Sequence, residues 1–280
     1  ADDTNLLHFT DSIKNLNKTI NYDLKQLVHW LNANKIALNV SKTELVFFKP
    51  KKKQNDYDLN IKLAGKKIFQ TPSVKYLGIK IDANLNWKDH QNYIAMKLNK
   101  ANAILLKLKN YVNPSIFKSV YFSIFESHLN YCSIIWSQNV DASNRLFLLQ
   151  KRAIRTISFA QRLSPSSPLF SNTRILKFYD KVSIENCILI SKSLSNHLPT
   201  FFQDWFRFSS SSHSHCLRSS NLGILKVPSF KTKSHGRLSC RINAIYTWNN
   251  LQKQIKDFVF CNSNYTKIKA VLTNYYLNQY

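Results

Sequence analysis

Two acidic side chains with a clear chemical potential, Asp2 and Asp3, stand directly before the apolar run 4 to 9. Adjacent carboxylates opening a strand-like run suit the tip of a β-hairpin, where the turn exposes the acids and the strand behind them is buried. Carboxylate oxygens are the hard ligands that Mg²⁺ takes, and a pair of such ions clamps the attacking and leaving oxygens of an in-line phosphoryl displacement. A solvated turn has the same appearance. Lys42 lies in a later loop. On its own it reads as an ordinary solvated turn lysine.

The elements around these residues are legible from period and punctuation. From residue 11 a helix is expected, with Ile13, Leu16, Ile20, Leu24, Leu27, Val28 and Leu31 at three-and-four spacing and Asn32 and Asn34 at its end. Its stripe should lie against a sheet. Residues 44 to 48 read as a buried strand closed by Pro50 and a lysine run, 61 to 69 as strand, turn and strand, and 76 to 81 as another strand. Gly78 marks a bend, a bulge or a close backbone approach. These pieces predict an α+β region.

From Trp87 the period becomes helical, broken only at Asn113-Pro114 and Val140-Asp141. One helix carries Ile94, Leu98, Ala101, Leu105 and Leu108, the next Ile116, Val120, Ile124 and Leu129, and the third Leu146, Leu149, Ala153, Ile154 and Ile157. Three amphipathic helices with short turns make a bundle. Residues 161 to 173, rich in Ser and Pro, read as a linker, 173 to 208 as mainly helical, 209 to 220 as a polar loop, and the remainder from Ile242 as helical again. The basic stretch 226 to 241, interleaved with Phe230 and His235, suits RNA or DNA, or an edge strand and loop.

Composition narrows the partner. The chain has 280 residues, enough for one large or two ordinary domains, and 44% hydrophobic residues can fill their cores. Forty Lys and Arg against 15 Asp and Glu give a formal charge of +25. Such an excess repels itself, and counterion release on binding phosphates is the usual compensation, so a polyanion is the expected partner. Lys97, Lys100, Lys107, Lys109, Lys151, Arg152, Arg155 and Arg162 are the candidate phosphate contacts. No run reaches the roughly 18 apolar residues of a membrane span and the acidic start is not a signal peptide, so an intracellular protein, nuclear or cytoplasmic, with no membrane partner is expected. Five widely spaced cysteines without a C-x-x-C pair read as reduced thiols. His213, His215, Cys216, His235 and Cys240 match no zinc spacing.

The order Ala1-Asp2-Asp3, then Leu38-Asn39-Val40-Ser41-Lys42-Thr43-Glu44-Leu45, then Lys75-Tyr76-Leu77-Gly78-Ile79-Lys80-Ile81-Asp82, then Leu85-Asn86-Trp87-Lys88-Asp89-His90 resembles the C-terminal half of a non-LTR (LINE-type, jockey-like) retrotransposon reverse transcriptase. Leu149-Gln150-Lys151-Arg152-Ala153-Ile154-Arg155 is similar to the tail of that family, as are Leu225-Lys226-Val227-Pro228, Thr232, Gly236, Ser239 and Trp248-Asn249. The resemblance implies a partial polymerase palm over residues 1 to 86, a helical thumb over 87 to 160 and a family-specific basic C-terminal region over 161 to 280. It implies template-directed nucleotidyl transfer on an RNA template and DNA primer with nucleotide triphosphates. Asp2 and Asp3 would hold Mg²⁺ with a third Asp expected upstream of Ala1, as is the aromatic residue that usually precedes the motif. Lys42 aligns with a lysine that assists the pyrophosphate leaving group, and the hairpin of Lys75, Tyr76 and Gly78 with one that grips the primer end. Opening at such a turn implies a fragment, inactive alone. Two other readings fit the same residues: a non-catalytic module holding RNA or an RNA/DNA hybrid, and a degenerate remnant without a stable fold.

Overall fold

Leu16, Ile20 and Leu24 recur every four residues because they share one face of α1 (Ile13–Ala33), and all three are buried. The computed structural model describes residues 4–10, 12–48, 59–209, 223–231 and 236–280. The chain divides into two compact units, 1–85 and 86–280.

In the first unit, α1 stops at Asn34, whose side chain donates to the Trp30 carbonyl at 2.8 Å. Its apolar face packs on Leu59, Ile61, Leu63 and Ile68. Asn21 fixes the register of that packing, donating to the Asn60 carbonyl at 2.9 Å and accepting from the Lys62 N–H at 2.8 Å. Two antiparallel hairpins follow: β1 (Lys62–Leu63) with β2 (Lys66–Lys67), and β3 (Ser73–Tyr76) with β4 (Ile79–Asp82). Each turns through two residues of positive φ, Ala64-Gly65 and Leu77-Gly78, the backbone that matches strand twist in a two-residue hairpin.

Three expectations fail here. Residues 76 to 81 are not one strand, because Leu77-Gly78 turns the chain between β3 and β4. Residues 44 to 48 are not a strand; Leu45 makes only an isolated parallel bridge to Gln70. Residues 4 to 10 likewise form no strand, and Leu7 and Phe9 are 79% and 92% exposed. Neither run has a continuous partner ladder among the described residues, and a strand without one leaves its backbone groups to water.

The second unit is helical. Its first core is built by α2 (Lys88–Leu108), α3 (Pro114–Tyr121), α4 (Ser127–Asn130), α5 (Ser133–Trp136) and α6 (Val140–Ile157), with α7 (Ser166–Thr173) and the start of α8 (Phe178–Leu194). Asn113 caps α3, accepting from the Ser115 N–H at 3.1 Å, and Pro114 takes the first helical position, where its missing N–H is harmless. Between α3 and α4 the backbone winds through a π-turn, Phe122–Glu126. Leu98, Ala101 and Leu105 of α2 meet Leu146, Ala153 and Ile154 of α6, all almost wholly buried. Trp136 stacks on Phe178 at 5.7 Å and donates its indole N–H to the Tyr131 carbonyl at 2.8 Å.

The expected linker at 161 to 173 instead contains α7, with Phe170 fully buried in the first core. Pro168 sits in the first turn of α7, where proline is tolerated, and Phe170 supplies the apolar anchor that a linker would lack. The second core joins the later part of α8 to α9 (Cys240–Asn249), α10 (Lys253–Cys261) and α11 (Tyr265–Leu277).

The terminal segment is clasped. Tyr280 donates its hydroxyl to the Asp180 carboxylate at 2.6 Å and accepts from the Lys177 N–H at 2.7 Å, with the Lys177 ammonium 3.8 Å from its ring centre.

Burial pushes the Cys187 thiol of α8 up to about 12, whereas Cys261 at the end of α10 is exposed. Since the thiolate is the nucleophile, iodoacetamide at about pH 8 will label Cys261 in the native chain and Cys187 only after unfolding. Equal labelling rates at the two positions would contradict the placement of α8.

Candidate nucleic-acid interface

Asp2 and Asp3 lie outside the described residues, as do His213, His215, Cys216, Thr232 and His235. Two carboxylates are a suitable donor set for Mg²⁺ on ligand chemistry alone. Among the described residues, no three His, Cys, Asp or Glu side chains are grouped to hold a metal ion. Cys240 is partly buried in α9, and that burial raises its thiol above the usual range against opposing backbone hydrogen bonds.

Lys42 ends a single 3-10 turn, Val40–Lys42. Asn39 builds that turn by accepting from the Ser41 N–H at 3.1 Å and the Ser41 hydroxyl at 2.6 Å, and the Lys42 side chain projects into solvent. The motif around Lys42 is therefore a capped turn that presents one cation. Lys75, Tyr76 and Gly78 come together on the β3–β4 hairpin. Lys75 is exposed and pairs in register with Lys80, so two ammonium groups share one hairpin. Leu77, at φ 45° and 55% exposed, holds the turn position that Asn or Gly usually takes, and its left-handed backbone costs about 1–2 kcal/mol.

On α2, Tyr93, Lys97, Lys100, Ile104 and Lys107 follow three-and-four spacing and share one stripe. Lys100 and Lys107 are exposed, and the Lys97 ammonium lies over the Tyr93 ring at 5.3 Å. His128 of α4 is lowered from its usual range by burial first and by the Lys97 ammonium second, so it stays neutral beside that cation at neutral pH. The sole acid of α2, Asp89, sits in its first turn.

The motif on α6 separates into structural and free groups. Gln150 is fully buried: its Nε2 donates to the Tyr121 hydroxyl at 3.2 Å and the Leu176 carbonyl at 3.0 Å, and its Oε1 accepts from the Phe178 N–H at 2.9 Å. Ala153 and Ile154 are core. The Arg155 Nε donates to the Ser164 carbonyl at 2.8 Å, which ties down the chain after the helix. Lys151 lies over the Phe147 ring at 4.5 Å, and Arg152 is exposed. Arg152 is thus the most available cation of the three. Its replacement by Ala should reduce the salt slope of nucleic-acid binding by about 1, as loss of one phosphate contact does. An unchanged slope would remove Arg152 from the interface.

The C-terminal motif is architectural. Trp248 donates its indole N–H to the Gly223 carbonyl at 2.8 Å, and the Asn249 side chain accepts from the Leu225 N–H at 2.9 Å while donating to its carbonyl at 3.0 Å. Ser239 caps α9. A Cβ added at Gly236 would stand 2.6 Å from the Phe230 Cβ, closer than side chains tolerate.

Residue types and spacing did not reveal the buried pair between Glu126 and Lys181, or the roles of Gln91 and Gln150. Gln91 donates to the Trp136 carbonyl at 2.8 Å inside the first core. The available signal was a glutamine on the apolar stripe of a helix.

No helix among the described residues is long and apolar enough to cross a membrane. No family model matches the chain, and no solved structure matches it. In an alignment of 164 positions that covers 52% of its length, the chain is 28% identical to the Retrovirus-related Pol polyprotein from type-1 retrotransposable element R1 4 of Nasonia vitripennis. The match spans 42% of that polyprotein, less than half its length. This distant similarity supports a retrotransposon origin for the chain.

Proposed function

We propose that this chain is the C-terminal part of the RNA-directed DNA polymerase of a non-LTR retrotransposon, and that its helical unit holds the duplex of RNA template and DNA primer. The observation that carries the reading is the acid-poor surface of that unit. From His90 to Tyr179 the acids are Glu126 and Asp141, against twelve Lys and Arg. Glu126 is buried in an ion pair with Lys181, so it does not oppose the exposed cations. A surface of this kind positions a phosphate backbone without reading its sequence.

In this reading Asp2 and Asp3, with a further carboxylate, would hold Mg²⁺, which would supply charge stabilisation to the transferring phosphoryl group. Lys42, presented on its capped turn, neutralises the departing pyrophosphate. The β3–β4 hairpin, with Lys75, Tyr76 and Gly78, steadies the primer end, and Lys97, Lys100, Lys151 and Arg152 of the helical unit contact backbone phosphates of the duplex.

Two preparations test the proposal. The purified chain should bind an RNA/DNA hybrid and give no Mg²⁺-dependent primer extension, whereas the chain extended through its upstream reading frame should extend a primer. Extension by the chain alone, or none by the longer chain, would contradict it. Hybrid binding with no extension by the longer chain would instead favour the non-catalytic binding module.

A further inference from the structure

The segment after α8 holds a cluster of aromatic side chains in which Phe201 is exposed, Phe202 is half-buried, and Trp205 is half-buried and packed on the second core. Phe201 and Phe202, in the turn Thr200–Phe202, contact each other at 5.3 Å, and both contact Trp205, at 5.7 and 4.7 Å. Phe206 alone of this run is buried, 3% exposed, and it anchors the segment in the second core. Phe201 is 72% exposed. Packing does not account for its position, since an exposed ring gains little from the core.

The backbone beneath the rings is held firmly. Arg241 of α9 donates its Nε to the Trp205 carbonyl at 2.9 Å and its Nη2 to the Asp204 carbonyl at 3.1 Å. Arg207 follows the rings, exposed apart from an equally exposed pair with Asp204 at 2.5 Å. Across the bridge from Phe208 to Leu225, the Lys226 N–H donates to the Arg207 carbonyl at 2.8 Å, which brings a second exposed cation beside the first.

We propose that this surface is a binding site for unpaired nucleic acid, with Phe201 and Trp205 stacking on bases and Arg207 and Lys226 holding the phosphates between them. Bases of any sequence present a π-face, so aromatic platforms beside cations grip single strands with little sequence preference. The +25 charge of the chain favours a polyanion over an apolar protein partner. The site is built on elements other than α2 and α6 and goes beyond the duplex-holding role proposed above.

The test uses the purified chain with fluorescein-labelled single-stranded RNA and DNA of mixed sequence, and with an RNA/DNA hybrid. Phe201→Ala should weaken single-strand binding by about fivefold to a hundredfold, the loss of one stacked base, and leave hybrid affinity unchanged. Arg207→Ala should lower the single-strand salt slope by about 1. Thermal unfolding of the two variants should match the parent, because both side chains are exposed. Stronger binding of RNA than DNA would identify RNA as the natural strand, and equal binding would mean that the site reads only features the two share. Unchanged single-strand affinity in both variants, or no single-strand binding by the parent chain, would overturn the proposal and leave the duplex role standing. Loss of self-association in Phe201→Ala, without loss of oligonucleotide binding, would also overturn it and mark a protein contact.

Discussion

Lys181→Met will destabilise the helical unit by about 3–5 kcal/mol, the usual consequence of stranding one partner of a buried ion pair. The Lys181 ammonium is in direct contact with Glu126 Oε1, with the side chains 15% and 7% exposed. Asn130 adds a long hydrogen bond of 3.4 Å to the same oxygen, and Glu126 Oε2 has no hydrogen-bond partner. Burial, reinforced by the Lys269 ammonium, pushes Lys181 down from its usual range, while the Glu185 carboxylate raises it. The Glu126 contact decides for the charged form, because neutral lysine would leave the carboxylate alone in the core. Adding Glu126→Leu to Lys181→Met should restore most of the loss, since a well-packed apolar pair often replaces a buried salt bridge at little cost. Chemical denaturation of the two variants measures both effects. A loss below about 1 kcal/mol in the single variant, a value typical of exposed pairs, would mean that the contact does not hold the π-turn Phe122–Glu126 to α8.

The second large effect concerns chemistry. In the chain extended through its upstream reading frame, Asp2→Asn and Asp3→Asn should each lower primer extension by about 10³-fold. Removing one charged ligand forfeits several kcal/mol of transition-state stabilisation, and about 1.4 kcal/mol is tenfold in rate. Hybrid affinity should not change, because the duplex is held by other residues. A loss of less than about tenfold at both positions would remove the pair from the metal site and return it to the solvated-turn reading.

Much of the helical architecture was legible because burial imposes a period. The stripe of α1 and those of α2 and α6 face apolar layers, and their side chains repeat every three or four residues for that reason. Residues 44 to 48 misled because an apolar run reports burial, not pairing, and Leu45 is only half-buried beside one bridge. The run 161 to 173 misled in the opposite direction: Ser and Pro signal loops, yet proline is harmless in the first turn of α7 and Phe170 outweighs its neighbours.

The candidate interface divides in the same way. Spacing alone places Lys97 and Lys100 on one stripe of α2. It does not show that Arg155 is tied to Ser164, because that partner lies in the turn beyond the helix. Nor does it show that Gln150 joins α6 to α3 and to the start of α8, since polarity on an apolar stripe has meaning only once its partners are placed. The left-handed backbone at Leu77 is equally invisible in a residue type that rarely adopts it.

The most direct test of the account is a salt titration of the purified chain against an RNA/DNA hybrid. With Lys97, Lys100, Lys151 and Arg152 on phosphates, the logarithm of affinity should fall with the logarithm of salt at a slope of about −4, a loss of roughly two orders of magnitude between about 50 and 200 mM. The slope should drop by about 3 when Lys97, Lys100 and Arg152 are replaced together by alanine. A slope near zero, or one that the triple variant leaves unchanged, would show that the cations of α2 and α6 do not hold the duplex.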